Sequence, residues 1–155
     1  MDASMRPATP APDPPVSPAR SAMMKRIRGK DTSPERAVRS ALHKAGFRFR
    51  LHSKALPGTP DIVLPSRRAV VFVHGCFWHH HPGCRAAYTP TTRRDYWEPK
   101  LAANVARDQR NAAALAREGW AVHTVWECET KKGGGFLSDL LAFLAANPPQ
   151  ARAKR

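Results

Sequence analysis

From position 74 to position 84 the chain reads His-Gly-Cys-Phe-Trp-His-His-His-Pro-Gly-Cys, four histidines and two cysteines around the adjacent pair Phe77-Trp78. Cysteine and histidine at such short spacing are metal ligands, zinc above all. Neighbouring large aromatics in a polar loop serve as wedges between stacked bases or as stacking platforms. A histidine beside them that holds no metal is suited to proton transfer near neutral pH. One segment thus offers a metal site, a probe for nucleic acid and a reacting group.

Cys76-x4-His81-x2-Cys84 supplies three ligands from one loop, with His80 the neighbouring alternative to His81. Cys128, far along the chain at the expected end of a strand, supplies the fourth. A Cys₃His set with every position filled by protein is a structural zinc site, since a catalytic zinc keeps one position open. Its work is to staple a long loop that has no core of its own.

A second chemistry begins at Thr59-Pro60-Asp61, where a carboxylate opens a short strand. Restriction-type nucleases place such an aspartate opposite a neighbouring strand that carries Glu-x-Lys, the carboxylates holding Mg²⁺. Here the neighbouring strand ends in Val73-His74-Gly75, so histidines stand where the other groups would be. His74 and His79 are the two with no structural task, and either can activate water or stabilise a pentavalent phosphate. Each needs an orienting acid, and Glu35 or Asp108 can provide it.

Lysine and arginine number 26 against 12 acids, a formal charge of +14. That surplus points to a polyanionic partner, nucleic acid first. Three cysteines, an odd count, with no apolar signal segment argue for metal binding in a reducing compartment and hence a cytoplasmic protein. No apolar stretch is long enough to cross a bilayer, so no membrane partner is expected.

The elements that must position these groups can be read from periodicity. Residues 1–20 hold six prolines and form a tail without a core. Ordered structure is expected from Ser21, beginning with a basic stretch (SAMMKRIRGK) that reads either as a short helix or as an arm on DNA. Ser33-Pro34 reads as a helix cap followed by proline in the first turn, and Ala37, Val38, Ala41, Leu42 and Ala45 make the apolar stripe of that helix up to Gly46. Phe47, Phe49 and Leu51 alternate with arginines as in a half-buried strand. Strands are expected over 61–64, 69–74 and 120–126, the second (AVVFVH) apolar throughout and therefore central. A loop over 75–95 is long enough to be functional. A helix over about 98–118 carries Leu101, Val105, Ala112 and Leu115 on its core face, with Asp108 on that same face, and a last helix carries Phe136, Leu137, Leu140, Leu141 and Leu144. The domain spans 21–147 and 148–155 is a basic tail. This order predicts an α/β fold, a mixed sheet flanked by helices.

The assembled residues resemble the very short patch repair (Vsr) DNA mismatch endonucleases. The likeness runs over Met24, Asp31-Thr32, Pro34-Glu35, Leu56-Pro57-Gly58-x-Pro60-Asp61, His74-Gly75-Cys76-Phe77-Trp78-His79-His80-His81, Trp97, Asn104-Val105-x-Arg107-Asp108 and Val125-Trp126-Glu127-Cys128. The resemblance implies a restriction-endonuclease-like fold with a structural zinc. It also implies a strand-specific nick 5′ of the thymine in T·G mismatches, which arise when 5-methylcytosine deaminates. It implies Mg²⁺ held by Asp61 and the main-chain carbonyl of Val73, a general base at His79 paired with Glu35, and a second histidine, His74, partnered by Asp108. Zn²⁺ ligands correspond to Cys76, His81, Cys84 and Cys128, and DNA contacts to Phe77, Trp78, Trp97, Met24 and Asn104. The implied protein is a nucleoid-associated monomer acting on double-stranded DNA, with mismatch-repair proteins as further partners. The competing reading is a zinc-stapled DNA-binding module without catalysis, which would need none of Asp61, His79 and Glu35. A zinc hydrolase of small molecules fits neither the charge nor the exposed aromatics.

Overall fold

A computed structural model of the chain describes residues 15, 17–25, 29–131 and 135–150; the side chains of residues 20, 24 and 25 lie outside the description. The contact expected of Met24 and most of the two tails therefore fall outside the described residues. Helix α1 spans Pro18–Lys25, a few residues before the expected start at Ser21.

Helix α2, Ser33–Lys44, is capped one residue earlier than its Ser-Pro pair suggests. Thr32 is the cap. Its hydroxyl accepts from the Glu35 amide at 3.4 Å and donates to Glu35 Oε1 at 2.9 Å, and Glu35 Oε2 accepts from the Asp31 amide at 3.1 Å. This is a variant of the Thr-x-x-Glu capping arrangement, in which the glutamate takes the Asp31 amide, one residue before the cap, instead of the Thr32 amide. It holds Glu35 almost fully buried at the first turn.

Four strands form one sheet in the order β1 (Arg50–Leu51), β2 (Ile62–Leu64), β3 (Ala69–His74), β4 (Ala121–Trp126). The first three run antiparallel to their neighbours, and β3 and β4 pair parallel in register from Ala69↔Ala121 to His74↔Trp126. The strand predicted over Phe47–Leu51 shrinks to two exposed residues, because Phe47 and Phe49 pack onto the core instead of joining the ladder.

Both faces of the sheet are covered, and this accounts for the unbroken apolar run of β3. Ala69 and Val71 face a cluster built with Val38 and Leu42 of α2 and with Phe136, Leu140 and Leu144 of α5 (Gly135–Ala146). Val70 and Phe72 face the other side, with Leu115 of helix α3 (Arg94–Arg117). Helix α3 runs Arg94–Arg117, four residues longer at its start than the periodicity indicates. Pro99 lies in the second turn of the helix, where its ring removes the N–H that would otherwise bond the Asp95 carbonyl. A short helix α4, Glu127–Lys131, follows β4 directly and carries Cys128. The parallel pairing brings the ends of β3 and β4 side by side, so the loop after His74 and the turn after Trp126 leave the sheet at the same edge.

One glycine fixes the approach of the β1–β2 connection to α3. Gly58 has φ +73°, and a Cβ there would lie 2.7–2.9 Å from the Asn111 side chain, its Cβ included. Gly83 has a similar φ, +72°, with nothing within 4 Å of the added atom. Gly83→Ala should therefore cost only the left-handed backbone strain, about 1–2 kcal/mol. Gly58→Ala should cost that strain plus the displacement of Asn111, about 2–4 kcal/mol together. Urea denaturation of the two variants checks the difference, and equal losses would show that the contact with α3 is loose.

Candidate active site and metal centre

The ends of β2 and β3 and the middle of α3 enclose a cleft of about 830 Å³. Asp61, immediately before β2, reaches the neighbouring strand, where its Oδ2 accepts the Val73 amide at 2.8 Å. Burial pushes the Asp61 carboxyl above the ordinary carboxylate range, against the opposing pull of that amide bond, and the Glu35 charge adds to the rise. A cation placed against the free Oδ1 would be stabilised by the negative charge that burial otherwise penalises. Asp61 and Val73 are thus neighbours, as the spacing of the two strands predicts.

His74 ends β3 and is buried. Its ring stacks on that of His79 at 3.8 Å and 6°, and meets Trp126 edge-on at 5.4 Å. Burial, with the neighbouring His79 ring adding to it, pushes His74 down to about 4, so it is neutral at physiological pH. His79 Nδ1 lies 2.6 Å from Asp108 Oδ2. Because a carboxylate can only accept, Nδ1 carries the proton and Nε2 is left basic.

The acids are paired differently from the family expectation. Asp108, expected beside His74, belongs to His79. Glu35, expected beside His79, is held by Thr32, the Asp31 amide and Arg39, whose Nη2 stands 2.7 Å from Glu35 Oε2. The helix that carries Asp108 turns the carboxylate toward the loop after β3, whereas the capping arrangement keeps the Glu35 carboxylate at its own helix start. His52 was not singled out by the sequence. It lies with its Nε2 3.7 Å from Glu35 and its Nδ1 3.8 Å from Asp61, a position that only the folded β1–β2 connection creates.

A second cluster sits behind the histidine stack. Cys76, Cys84, Cys128 and His81 bring one ligand atom each to within 4.8 Å of one another. His81 Nδ1 is 3.6 Å from Cys76 Sγ and 3.5 Å from Cys128 Sγ. Tetrahedral bonds of about 2.3 Å to sulfur and about 2.0–2.1 Å to nitrogen put such atoms about 3.6 Å apart, so the donor set fits zinc. Burial and the adjacent thiols push Cys76 up to about 12, a crowding of protons that a divalent cation would relieve. His80, the alternative ligand, is outside the cluster, its Nδ1 buried without a hydrogen bond and its backbone at φ +50°. The His81 ring stacks on Trp126 at 4.2 Å and 7°, so one indole touches both the metal cluster and His74.

Phe77 and Trp78 follow Cys76 directly and meet Trp97 of α3. Ring separations are 5.1 Å for Phe77–Trp78, 5.5 Å for Phe77–Trp97 and 6.0 Å for Trp78–Trp97. Tyr88 and Tyr96, which sequence reading passed over, extend this group as exposed rings beside Phe77 and Trp97. Asn104 donates from its side chain to the Trp78 carbonyl at 3.0 Å and fixes the loop to α3. No helix among the described residues is long and apolar enough to cross a membrane.

Comparison with known proteins gives the family and the fold. A family model described as DNA mismatch endonuclease Vsr matches residues 16–85. The type II nicking enzyme V.XorIIP of Xanthomonas oryzae pv. oryzae is 62% identical over 123 residues, 79% of this chain and 85% of that protein. The DNA mismatch endonuclease Vsr of Escherichia coli is 44% identical over 109 residues, 70% of this chain and 69% of that protein. Among solved structures, the catalytic domain of the homing endonuclease I-Bth0305I superposes with a TM-score of 0.54 at 18% identity, covering 76% of this chain and 98% of that one, a likeness of fold. The chain belongs to the Vsr family of DNA endonucleases.

Cys128→Ser should reduce bound metal from about one ion per chain to well below that, and lower the melting temperature, because a structural metal contributes folding energy directly. Elemental analysis beside thermal denaturation checks this. Full metal content with an unchanged melting temperature would remove Cys128 from the site.

Proposed function

We propose that the protein nicks one strand of double-stranded DNA 5′ of the thymine in a T·G mismatch, in a Mg²⁺-dependent reaction, and that the Cys₃His cluster holds a structural zinc. The observation that carries this reading is the continuity of residues 76–79. Cys76 belongs to the metal cluster, Phe77 and Trp78 to the aromatic group, and His79 to the hydrogen-bonded pair with Asp108. A T·G pair unstacks more cheaply than a matched pair, so a wedge selects it. Insertion of Phe77 and Trp78 at the lesion brings His79 to a neighbouring phosphate, and recognition is thereby coupled to cleavage.

Asp61 and the Val73 carbonyl would hold the magnesium, which when bound neutralises phosphate charge and makes a water more acidic. The chain's own groups do the rest. Asp108 keeps the proton on His79 Nδ1, so Nε2 takes the proton of the attacking water and Asp108 stabilises the cation that results. His74, held neutral by burial, offers a hydrogen bond without competing for that proton. The +14 charge of the chain supplies the long-range attraction to duplex DNA, which makes binding salt-dependent. The names of the relatives, a mismatch endonuclease in one case and a nicking enzyme in the other, support DNA nicking here, and the first name supports the mismatch as its substrate. A monomer acting in the cytoplasm on the nucleoid, with mismatch-repair proteins downstream, is consistent with a single-site nick.

Asp61→Ala should abolish nicking of a strand-labelled T·G duplex while leaving binding within a few-fold, since loss of the metal clamp removes several kcal/mol of transition-state stabilisation. Near-normal nicking by this variant would refute the assignment. Trp78→Ala should cut the preference for T·G over matched duplex by roughly one to two decades, the worth of a base–aromatic stack of about 1–3 kcal/mol. Competition binding checks this. If binding to all duplexes falls equally and the melting temperature falls with it, Trp78 is a packing residue and the wedge is elsewhere.

A further inference from the structure

Behind Asp61 runs a series of polar contacts that no step above uses. Arg39 of α2 spends its guanidinium on three partners: Nη1 donates to Asp31 Oδ1 at 2.5 Å, and Nη2 meets Glu35 Oε2 at 2.7 Å and His52 Nε2 at 2.9 Å. The two hydrogens on Nη2 therefore have two acceptors. A guanidinium has only donors and does not deprotonate in a protein. The His52 nitrogen facing it must be the acceptor, so the ring proton of His52 resides on Nδ1. That nitrogen faces Asp61 Oδ1 at 3.8 Å, while Asp61 Oδ2 is already occupied by the Val73 amide.

Two further features set His52 apart. Its backbone is left-handed, with φ +47°, a conformation that a non-glycine residue holds only where its surroundings impose it. Its own amide donates to the Asp61 carbonyl at 3.2 Å, so the two residues are tied through main chain as well as facing each other through side chains. The Arg39, His52, Glu35 and Asp61 side chains are 14%, 18%, 5% and 19% exposed, so water competes little for these contacts.

We infer that Arg39 fixes His52 as the Nδ1–H tautomer, and that His52 is a positioning residue whose ring N–H orients Asp61 Oδ1 for a divalent cation. The same proton denies His52 Nδ1 to the metal, so on this side of the cleft the free ligand atom is the Asp61 oxygen, the donor type magnesium prefers. Glu35 is the anchor of this chain of contacts, because its carboxylate holds the guanidinium in place. At 3.8 Å the contact is one of charge with dipole, longer than a hydrogen bond, and it sets the rotation of the carboxylate. This inference rests on reading Asp61 as the metal carboxylate.

The test uses the full-length, zinc-loaded protein. Long-range ¹H–¹⁵N NMR without Mg²⁺ or DNA reads the His52 tautomer directly. The expected result is Nδ1–H in the wild type and a shift to Nε2–H, the form that a free neutral imidazole favours, in Arg39→Leu. Mn²⁺ affinity of the protein–duplex complex, read by water-proton relaxation, gives the second measure. His52→Ala should weaken it by about tenfold, the usual cost of losing a group that orients a metal ligand. His52→Asn, which keeps a donor near the Nδ1 position and tolerates a left-handed backbone, should restore most of it. Wild-type His52 found as Nε2–H, or unchanged Mn²⁺ affinity in His52→Ala, overturns the inference. So does a loss in His52→Ala as complete as in Asp61→Ala with no rescue by asparagine, since that pattern marks His52 as a ligand. A protein that shows the expected tautomer and Mn²⁺ pattern but nicks no duplex contradicts the proposed reaction and leaves the positioning role standing.

Discussion

The site depends on the convergence of three thiols and one imidazole at the edge where β3 and β4 end together. Parallel pairing places His74 opposite Trp126, and the chain continues from one to Cys76 and from the other to Cys128. A metal held by both segments, with Cys84 and His81, would convert a loop of polar residues and half-buried rings into a fixed surface. Without that tie, two adjacent aromatics on an open loop would collapse onto the nearest apolar patch. With it, the same aromatics can face a partner, and His79 is held close behind them. Trp126 extends the effect, because its ring touches the ligand His81 and the buried His74.

The cleft divides into two sets of charges with separate tasks. On the α3 side, a single acid–histidine pair, Asp108–His79, sets which nitrogen is basic. On the α2 side, Glu35, Arg39 and His52 form a group largely shielded from water behind Asp61, with the exposed Asp31 at its outer end. Buried acids are costly unless paired, and Arg39 provides the charge that lets Glu35 stay buried. Asp61 is the exception. It is largely but not fully shielded, has one oxygen satisfied, and its anion is penalised by burial, so a cation at the other oxygen would stabilise it.

Much of this was legible in the sequence because the decisive residues are close together along the chain. The Cys-x4-His-x2-Cys spacing, the continuous apolar strand ending in His74 and the Pro-Asp before a short strand each have a local signature. The residues brought to one cleft include Glu35, Asp61, His74, His79 and Asp108, as expected. What could not be read was which acid meets which histidine, since that depends on the rotation of α3 and on the capping of α2, both fixed by packing. His52 and Arg39 have no motif at all and acquire meaning only when the β1–β2 connection folds over α2. The first turn of α3, before Glu98, is likewise set by packing, with Tyr96 and Trp97 joining the aromatic group.

The most direct test of the central claim, that lesion recognition and strand cleavage are one event on a rigid loop, is single-turnover nicking of paired duplexes. These should differ only in T·G against T·A at one position, with each strand labelled and Mg²⁺ present or withheld. The expected result is a single nick 5′ of the mismatched thymine, on that strand alone, only with Mg²⁺, and at least about a hundredfold faster than on the matched duplex, in keeping with a stacking selectivity of about 3 kcal/mol. Equal rates on the two duplexes, or nicks on both strands, would contradict it.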